Sequence, residues 1–389
     1  MKLLRTLPTS RVILLAALVV ALGVGAAAAF AASRGGGPVP PAKPLARALH
    51  DSIAAPAPLG VTARIKFTNR LFPSGALAGP VGSALMSGAS GRLWATQDGR
   101  GRLELQSNAG DVQVVWNQKQ LTVYDASTNT VYRAQLPQHA GGRGSGAVPS
   151  VAGIATFLTR AGEHAEVSGA RPTDVGGQAA YSVRVAPRHD GGLLGAAELA
   201  WAATRPVPLR IGIYAQGASA PVLELAATHI TFGRVPASDV EVAPPAGAKV
   251  TDLGNLSRRT GSSQHGKPES GPSGAAALRA APFEAVAPAK LVGLPRQDVR
   301  LVGLGKSKAV VAVYGQGLGA IVVLQRPAGS VGAIGPMGAL PTVSLDGVTA
   351  RELATQLGTV LTWRRNGVSF VLAGSVPPAA AEAAARALG

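Results

Sequence analysis

Residues 209–213, Leu209-Arg210-Ile211-Gly212-Ile213, decide the fold class, because apolar side chains occupy every second position. In an extended chain this period of two places the apolar side chains on one face and the others on the opposite face. The same alternation recurs in other runs that are separated by turn residues. Those runs contain Ile65 and Phe67; Leu103 and Leu105; Val112, Val114 and Trp116; Leu121 and Val123; Tyr181, Val183 and Val185; and Leu223 and Leu225. The sequence therefore predicts antiparallel strands with one apolar and one solvated face.

Turn and helix signals between these runs are short. Asp98-Gly99 and the cluster Asn108–Asp111 predict hairpin turns. Apolar residues four positions apart predict a short helix over Leu45–Ile53. A second helix is predicted after Ser150, because serine is a favoured N-cap and an apolar stripe follows it. That stripe consists of Val151, Ile154, Ala155 and Leu158.

A change of composition at residue 251 predicts a second domain. From residue 251 to 282 Ser, Gly, Pro, Arg and Gln predominate, which is typical of a flexible linker. Beyond it, β-branched runs and an Asn366-Gly367 turn predict strands, and Pro377-Pro378 opens a helix that continues to Leu388. The predicted strand regions are 299–304, 309–314, 320–325 and the hairpin 363–370. The expected divisions are 1–32, a signal peptide or membrane anchor; 33–44, a Gly/Pro tether; 45–250, the first domain; 251–282, the linker; and 283–389, a small β-rich domain.

The N-terminus predicts export from the cytoplasm. Lys2, Arg5 and Arg11 precede an uncharged apolar run over residues 12–32, which is the pattern of an export signal. As a helix this run is long enough to cross a bilayer, whereas Ala29-Phe30-Ala31 matches a cleavage site. Both a cleaved signal and a retained anchor are therefore open. In either case the rest of the chain is expected outside the cytoplasmic membrane.

The composition excludes several classes of site. The chain of 389 residues has no cysteine, so disulfides, thiolate metal sites and cysteine nucleophiles are ruled out. Its net charge of +17 predicts attraction to an anionic membrane surface. Aromatic residues make up only 4% of the chain and the basic residues are scattered, which argues against a nucleic-acid partner.

The sequence shows no motif that would carry catalysis or hold a cofactor. Gly305-Lys306-Ser307 imitates part of a phosphate-binding loop, but Arg300 stands where that motif requires glycine. The six histidines show no metal-ligand spacing, and there is no G-x-S-x-G elbow. Glu104, Glu198 and Glu224 fall on the polar phase of strands, so we expect them to be solvated. A non-enzymatic protein with no metal, cofactor or catalytic residue is expected.

Two regions resemble known families. The order of 197–201 (Ala-Glu-Leu-Ala-Trp), 206–211 (Pro-Val-Pro-Leu-Arg-Ile) and 240–250 resembles the LolA-like superfamily of lipoprotein carriers, and Tyr181–Pro187 fits a strand of that family. The likeness covers roughly residues 45–250. It departs at Ala202-Ala203, where members of the family often carry an acidic residue.

The second region resembles the C-terminal domain of the MucB/RseB regulators of anti-sigma factors. The residues that carry this likeness are Tyr314-Gly315-Gln316-Gly317-Leu318 and Ser369–Pro378 with the alanine-rich segment that follows. Those regulators begin with a LolA-like domain, so both resemblances imply the same architecture. It is an α+β fold, mostly antiparallel β, with an open half-barrel closed by short helices and then a small β-rich domain with a C-terminal helix.

The resemblance implies a binding protein, and three functions remain open. An apolar half-barrel cavity implies binding of a lipid or lipoprotein acyl chain, for transfer or sensing, at about 0.8 kcal/mol per buried methylene. The alternative is a regulator that binds the extracytoplasmic part of an anti-sigma factor or of another membrane protein. A structural protein of the cell envelope is a second alternative. The candidate cavity residues are Ile65, Phe67, Leu103, Leu105, Val114, Trp116, Leu199, Trp201, Leu209, Ile211, Leu223 and Leu225.

Overall fold

Two largely antiparallel sheets make up most of the described part of the chain. The computed structural model describes residues 37–71, 88–108, 110–136, 148–189, 191–255, 272–304, 307–329 and 340–388. Within them one sheet has thirteen strands and the other has eight. The chain is mostly β with few helices, and its antiparallel sheet curls into a half-barrel. The prediction of a mostly antiparallel α+β fold is thereby confirmed.

The first sheet follows the chain almost in order. Its strand order is β13-β6-β5-β4-β3-β2-β1-β12-β11-β10-β9-β7, with β8 also pairing β9. All pairs are antiparallel except β13 with β6. The elements are α1 (Leu45–Ala54), β1 (Gly60–Asn69), β2 (Ala89–Thr96), β3 (Gly101–Ser107), β4 (Gly110–Trp116), β5 (Gln120–Asp125), β6 (Thr130–Gln135), α2 (Val151–Ala161), β7 (Ala165–Val167), β8 (Arg171–Val175), β9 (Gln178–Pro187), β10 (Leu194–Ala202), β11 (Pro208–Ala215), β12 (Leu223–Phe232), α3 (Ala237–Val240) and β13 (Lys249–Asn255).

Strand register joins the alternating apolar residues into continuous rows. A first apolar row crosses five strands, and its neighbours lie directly opposite one another: Val183, Leu199, Ile211, Leu225 and Phe67. A second apolar row crosses the next strands: Ala63, Leu93, Leu103, Val114 and Val123. Phe67 and Ala63 are four residues apart on β1, so the two rows share one face of the sheet. The period of two in the sequence thus becomes one broad apolar face.

Helix α1 covers the β9–β10 end of this sheet. Its Ala48 is fully buried in a cluster with Tyr181, Val183 and Trp201. The Tyr181 hydroxyl donates a hydrogen bond to the carbonyl of Pro41 at 2.7 Å. Because Pro41 lies just before the helix, this bond fixes the segment that leads into α1. The helix that the sequence predicted over Leu45–Ile53 is confirmed.

Helix α2 begins directly after Ser150, the residue that the sequence predicted as its N-cap. The Ser150 hydroxyl accepts a hydrogen bond from the backbone N–H of Gly153 at 3.1 Å. The helix packs against α1 and β7. Of its predicted stripe, Ile154 is buried but Ala155 is exposed, so α2 buries a narrower face than the pattern indicated.

We expect Ser150→Ala to loosen the first turn of α2. Loss of an N-cap side chain costs about 1 kcal/mol, which corresponds to roughly fivefold faster amide exchange wherever local opening controls exchange. Hydrogen exchange with mass spectrometry on peptides from Val151–Ala161 measures this. Thr156→Ala on the same helix is the control, because the Thr156 hydroxyl only bonds back to the carbonyl of Ala152. Equal exchange in both variants would contradict the cap assignment.

The second sheet has the order β14-β15-β16-β17-β21-β20-β19-β18. Its core contains Tyr314, Ile321, Leu361 and Leu372, all with no exposed surface. Asn366 and Gly367 both have positive φ angles in the tight turn between its last two strands, as the sequence predicted. The elements are α4 (Ala275–Arg279), β14 (Lys290–Leu291), β15 (Leu294–Leu304), β16 (Ser307–Tyr314), β17 (Ile321–Pro327), β18 (Thr342–Leu345), β19 (Val348–Thr355), β20 (Gly358–Arg365), β21 (Val368–Gly374) and α5 (Pro378–Arg386).

The region predicted as a flexible linker, 251–282, contains regular structure at both ends. Strand β13 extends to Asn255 because its backbone pairs in parallel with β6, which composition does not predict. Helix α4 forms at residues 275–279, where Ala277 is fully buried and the helix packs on β15. Ser307 begins strand β16, so no helix follows the Gly-Lys-Ser sequence, as expected.

The predicted export segment 12–32 and its neighbours up to residue 36 lie outside the described residues. Among the residues that are described, no helix is both long enough and apolar enough to cross a membrane.

Candidate functional site

The structure brings most of the predicted cavity residues onto the apolar face. Phe67, Leu225, Ile211 and Leu199 form most of the first apolar row. Leu103 lies opposite Val114 in the second apolar row. Between the rows, Ile65 and Leu105 flank Gly91 from its two neighbouring strands. Leu223 lies opposite Ile213, and Trp116 lies opposite Gly101.

Burial separates the candidates into two groups. Ile65, Leu105, Leu209 and Trp201 are at most 5% exposed and belong to the packed interior. The others keep a larger part of their surface exposed. That half-buried group consists of Phe67, Leu103, Val114, Trp116, Leu199, Ile211, Leu223 and Leu225. Only the half-buried group offers surface to a binding partner. The alternation in the sequence predicts the face on which a residue lies, but it does not distinguish the half-buried residues from those of the core.

Gly101 on β3 allows the ring of Trp116 to pack closely on this face. The ring of Trp116 lies over Gly101, where a Cβ atom would come within 2.1 Å of the ring. Glycine at this position therefore lets the indole lie flat across β3. The ring extends the second apolar row's surface toward the β4–β5 turn.

The described helices cover the apolar face unevenly. Helix α1 packs on the β9–β10 end with Leu45 and Leu49. In contrast, Phe67, Leu103, Val114, Val123 and Leu225 stay half-buried where they pack against the core residues Ile65, Leu93 and Leu105. The half-buried residues of this face lie on β1, β3, β4 and β5, whereas Leu93 on β2 is only 1% exposed. From β1 to β5 the sheet spans about 19 Å at the usual strand spacing.

The opposite face of the sheet carries an ion-pair network at β9–β12. The Arg210 guanidinium lies 3.0 Å from Glu198 Oε1 and 2.8 Å from Glu224 Oε1. The Tyr214 hydroxyl donates to Glu198 Oε2 at 3.2 Å, and the Arg184 guanidinium lies over the Tyr214 ring. The Glu198 and Glu224 side chains are only 17% and 14% exposed. The expectation that these carboxylates are solvated is wrong, because cross-strand neighbours pair them with one arginine.

The pKa values in this network follow from burial and from the paired charges. Burial alone would lower the pKa of Arg210, but the charges of Glu198 and Glu224 outweigh it and the pKa is raised above its ordinary value. Burial raises the pKa of Tyr214. Arg210 therefore stays charged and Tyr214 stays neutral at physiological pH. The network thus has a structural role and does not act as a proton donor.

A separate cleft of about 570 Å³ lies between β4–β6 and the segment that follows α3. Val115, Thr122 and Arg133 line its floor in one cross-strand row. Residues 240–244 form its wall. The sequence analysis missed this cleft. The only signal was that Thr122 and Arg133 fall on the phase opposite to the apolar residues, which any solvated strand face also shows.

No group of three or more His, Asp or Glu side chains that could hold a metal ion occurs in the described part of the chain. Asp125, on the apolar face, accepts hydrogen bonds from the Ser127 and Thr128 hydroxyls, and Glu198 and Glu224 pair with Arg210.

No protein-family model matches the chain, and no curated protein does. Solved structures are similar to it at low identity. MucB in complex with MucA(peri) is 16% identical with a TM-score of 0.39, covering 88% of this chain and 94% of MucB. The MucA/MucB complex of Pseudomonas aeruginosa is 14% identical with a TM-score of 0.41 and the same coverage. An uncharacterised conserved protein of Thermus thermophilus is 13% identical, with a TM-score of 0.31, over 54% of this chain and 94% of that protein.

Proposed function

We propose that this chain is a non-enzymatic extracytoplasmic protein that binds the outer part of an anti-sigma factor or of a similar membrane protein. The binding surface is the half-buried apolar face over β1–β5. The observation that carries the proposal is that Phe67, Leu103 and Val114 keep exposed surface although the residues directly opposite them on the neighbouring strands are apolar. Contiguous exposed apolar surface of this kind marks interaction sites.

The width of the face favours a polypeptide as its partner. The half-buried residues lie on β1, β3, β4 and β5, which extend about 19 Å across the sheet, and a standard protein interface buries about 800 Å² on each side. A single acyl chain covers only a narrow strip and gains most from a closed tunnel. The sequence resemblance to the MucB/RseB regulators indicates the kind of partner, an anti-sigma factor. The similar protein MucB was solved together with MucA(peri).

Acyl-chain binding is the second candidate, and the first apolar row favours it. Val183, Leu199, Ile211 and Leu225 are all aliphatic and lie in one line that ends at Phe67. A lipid tail laid along this line would gain about 0.8 kcal/mol for each methylene it buries. This row passes under α1 at the β9–β10 end, where a chain could be shielded from water.

Photocrosslinking from the apolar face distinguishes the two partners. We expect p-benzoylphenylalanine at position 67 or 116 of the full chain, expressed in the source organism, to form an adduct of protein mass upon irradiation. Phe67 and Trp116 are half-buried aromatic residues, so a benzophenone side chain fits both positions with little change of packing. Mass spectrometry of the adduct should identify an extracytoplasmic segment of a membrane protein.

The matched control places the crosslinker at Lys66, the neighbour of Phe67 on the opposite face of β1, which is exposed. Crosslinks of equal yield from position 66 would overturn the assignment of the face. Adducts with only the mass of a lipid at positions 67 and 116 would replace the protein partner by the acyl chain.

A further inference from the structure

We propose that the solvated face of β1 and β2 docks on the surface of a membrane that contains anionic phospholipids. Three exposed cations carry the proposal, and we call them the basic face: Arg64 and Lys66 on β1 and Arg92 on β2. Their chain neighbours Ile65 and Leu93 are buried in the core, so the cations project from the other side of the sheet. The basic face is therefore separate from the proposed protein-binding surface.

Strand register brings the three cations together. Arg64 lies directly opposite Arg92, and Lys66 is diagonal to Arg92. On its other side Arg64 faces His229 on β12, not a carboxylate. Like charges directly opposite each other destabilise a sheet, yet the three cations make no hydrogen bond or ion pair with another described residue. An anionic partner would relieve this repulsion.

The carboxylates on the same face are already engaged. Glu104 lies opposite Arg92 on β3, but its carboxylate pairs with Arg102. Glu224 on β12, near the end of β1, pairs with Arg210 at 2.8 Å. Neither carboxylate is therefore left to neutralise the basic face.

A count of the surrounding charges still leaves the face positive. Helix α3 packs on β2 and β3, and its Asp239 accepts a hydrogen bond from Arg102 through the backbone carbonyl. If Asp239 and Glu104 are both set against Arg102 and the basic face, four cations meet two carboxylates. The connection between β1 and β2, residues 70–88, contains no Asp or Glu. Asp111 lies two strands beyond β2, about 10 Å or more at the usual spacing, where salt screens its charge.

The arrangement of the cations favours a membrane surface over a single small anion. They are spread over an exposed sheet face and do not converge in a pocket, which a small ligand would require. A bilayer with anionic lipids offers many separate phosphate groups, and each Lys or Arg near its surface adds to the attraction. The guanidinium fork also matches the oxygens of a phosphate. The export signal predicted at the N-terminus places the folded chain beside such a surface.

Docking through the basic face would orient the protein. The apolar face lies on the other side of the sheet, so it would point away from the lipid and stay accessible to a protein partner. The two surfaces are tested separately, because crosslinking from the apolar face does not depend on vesicle binding and vesicle binding does not depend on a protein partner.

A fluorescent label on the basic face tests the proposal with the full chain. The chain has no cysteine, so Ser90→Cys carries an NBD label at one position only. Ser90 is exposed and lies directly opposite Lys66. We expect its emission to rise with vesicles of equimolar phosphatidylglycerol and phosphatidylcholine and to stay unchanged with phosphatidylcholine alone. Raising the salt from about 0.1 M to about 1 M shortens the Debye length to about 3 Å and should abolish the response.

A second label position makes the readout local. Ala155 is exposed on α2, which packs against α1 on the apolar side of the sheet. The same label on Ala155→Cys should not respond to either vesicle. Attachment of the chain through its N-terminal apolar run would not by itself produce a response at position 90 that depends on anionic lipid.

Neutral variants identify the cations that dock. The lipid concentration for half-maximal response should rise by about tenfold or more in the combined variant Arg64→Gln, Lys66→Gln and Arg92→Gln. The matched control removes the same number and types of charge at exposed positions elsewhere and should behave as the wild type: Lys119→Gln, Arg160→Gln and Arg188→Gln.

A stability measurement guards against unfolding of the first variant. Removing the repulsion between Arg64 and Arg92 should not lower its urea midpoint below that of the wild type, so a lost response reports lost docking. The proposal is overturned if the label at position 90 does not respond to anionic vesicles or responds equally to both kinds. It is also overturned if position 155 responds as position 90 does, or if the two combined variants require the same lipid concentration.

Discussion

Replacing Arg210 by methionine should destabilise the first sheet by about 3 kcal/mol, because breaking a largely buried ion pair leaves its partners uncompensated. Arg210 lies between Glu198 and Glu224, and the three side chains are at most 20% exposed. Without the guanidinium, two carboxylates remain close together with little water to solvate them. Methionine keeps most of the volume of the arginine stem, so the loss measures charge rather than packing.

Urea unfolding of the full chain, followed by tryptophan fluorescence, gives the free energy of unfolding. Arg184→Met is the matched control, since the Arg184 guanidinium reaches Glu198 only at 3.9 Å and its side chain is 36% exposed. A pair of that kind contributes about 0–1 kcal/mol.

A triple variant separates the charge effect from any loss of contacts. Arg210→Met combined with Glu198→Gln and Glu224→Gln removes the uncompensated charges, and we expect it to recover most of the lost stability. If the triple variant is less stable than Arg210→Met alone, the network stabilises the sheet through its hydrogen bonds and our account is wrong.

In the first sheet, the sequence predicted the strands that contain an alternating apolar run. Strands β1, β3, β4, β5, β9, β11 and β12 all contain one of the alternating runs. The edge strands β7 and β13 were missed, because β7 has only three residues and β13 exists through backbone pairing with β6. Edge pairing depends on where a distant strand ends, which a local pattern does not contain.

The sequence predicted which residues lie on the apolar face, but it did not predict which of them stay exposed. The alternation placed Phe67 and Ile65 on the same side of β1, yet only Phe67 keeps exposed surface. Phe67 lies opposite Leu225, more than 150 residues away, and a bulge near His229 shifts the register of β12. The surroundings of each residue therefore depend on distant segments that a local pattern does not contain. The cleft beside Arg133 requires the segment after α3 to cross the sheet, and no residue of that segment carries a pattern that predicts the crossing.

Replacing Trp363 by alanine should destabilise the second sheet by about 4 kcal/mol, since removing a buried aromatic side chain from a core costs about 3–5 kcal/mol. Trp363 and Phe370 lie opposite each other on β20 and β21, each 4% exposed. Their rings are stacked with centroids 4.9 Å apart and planes at 3°. Aromatic pairs in such contact add about 0.5–1.5 kcal/mol beyond the area they bury. The alanine variant loses this pair and leaves a cavity beside Leu361.

Hydrogen exchange with mass spectrometry localises this loss to one sheet. Exchange should accelerate in peptides from β16, β17 and β21, which belong to the core around Trp363, while peptides from β1 and β12 should exchange as in the wild type. Trp363→Phe should cost less, because it keeps a ring against Phe370. Val322→Ala is the surface control in the same sheet, where the side chain is 38% exposed and the cost should stay below about 1 kcal/mol. Equal acceleration in both sheets would show that they unfold as one cooperative unit and would contradict the expected restriction of the effect to the second sheet.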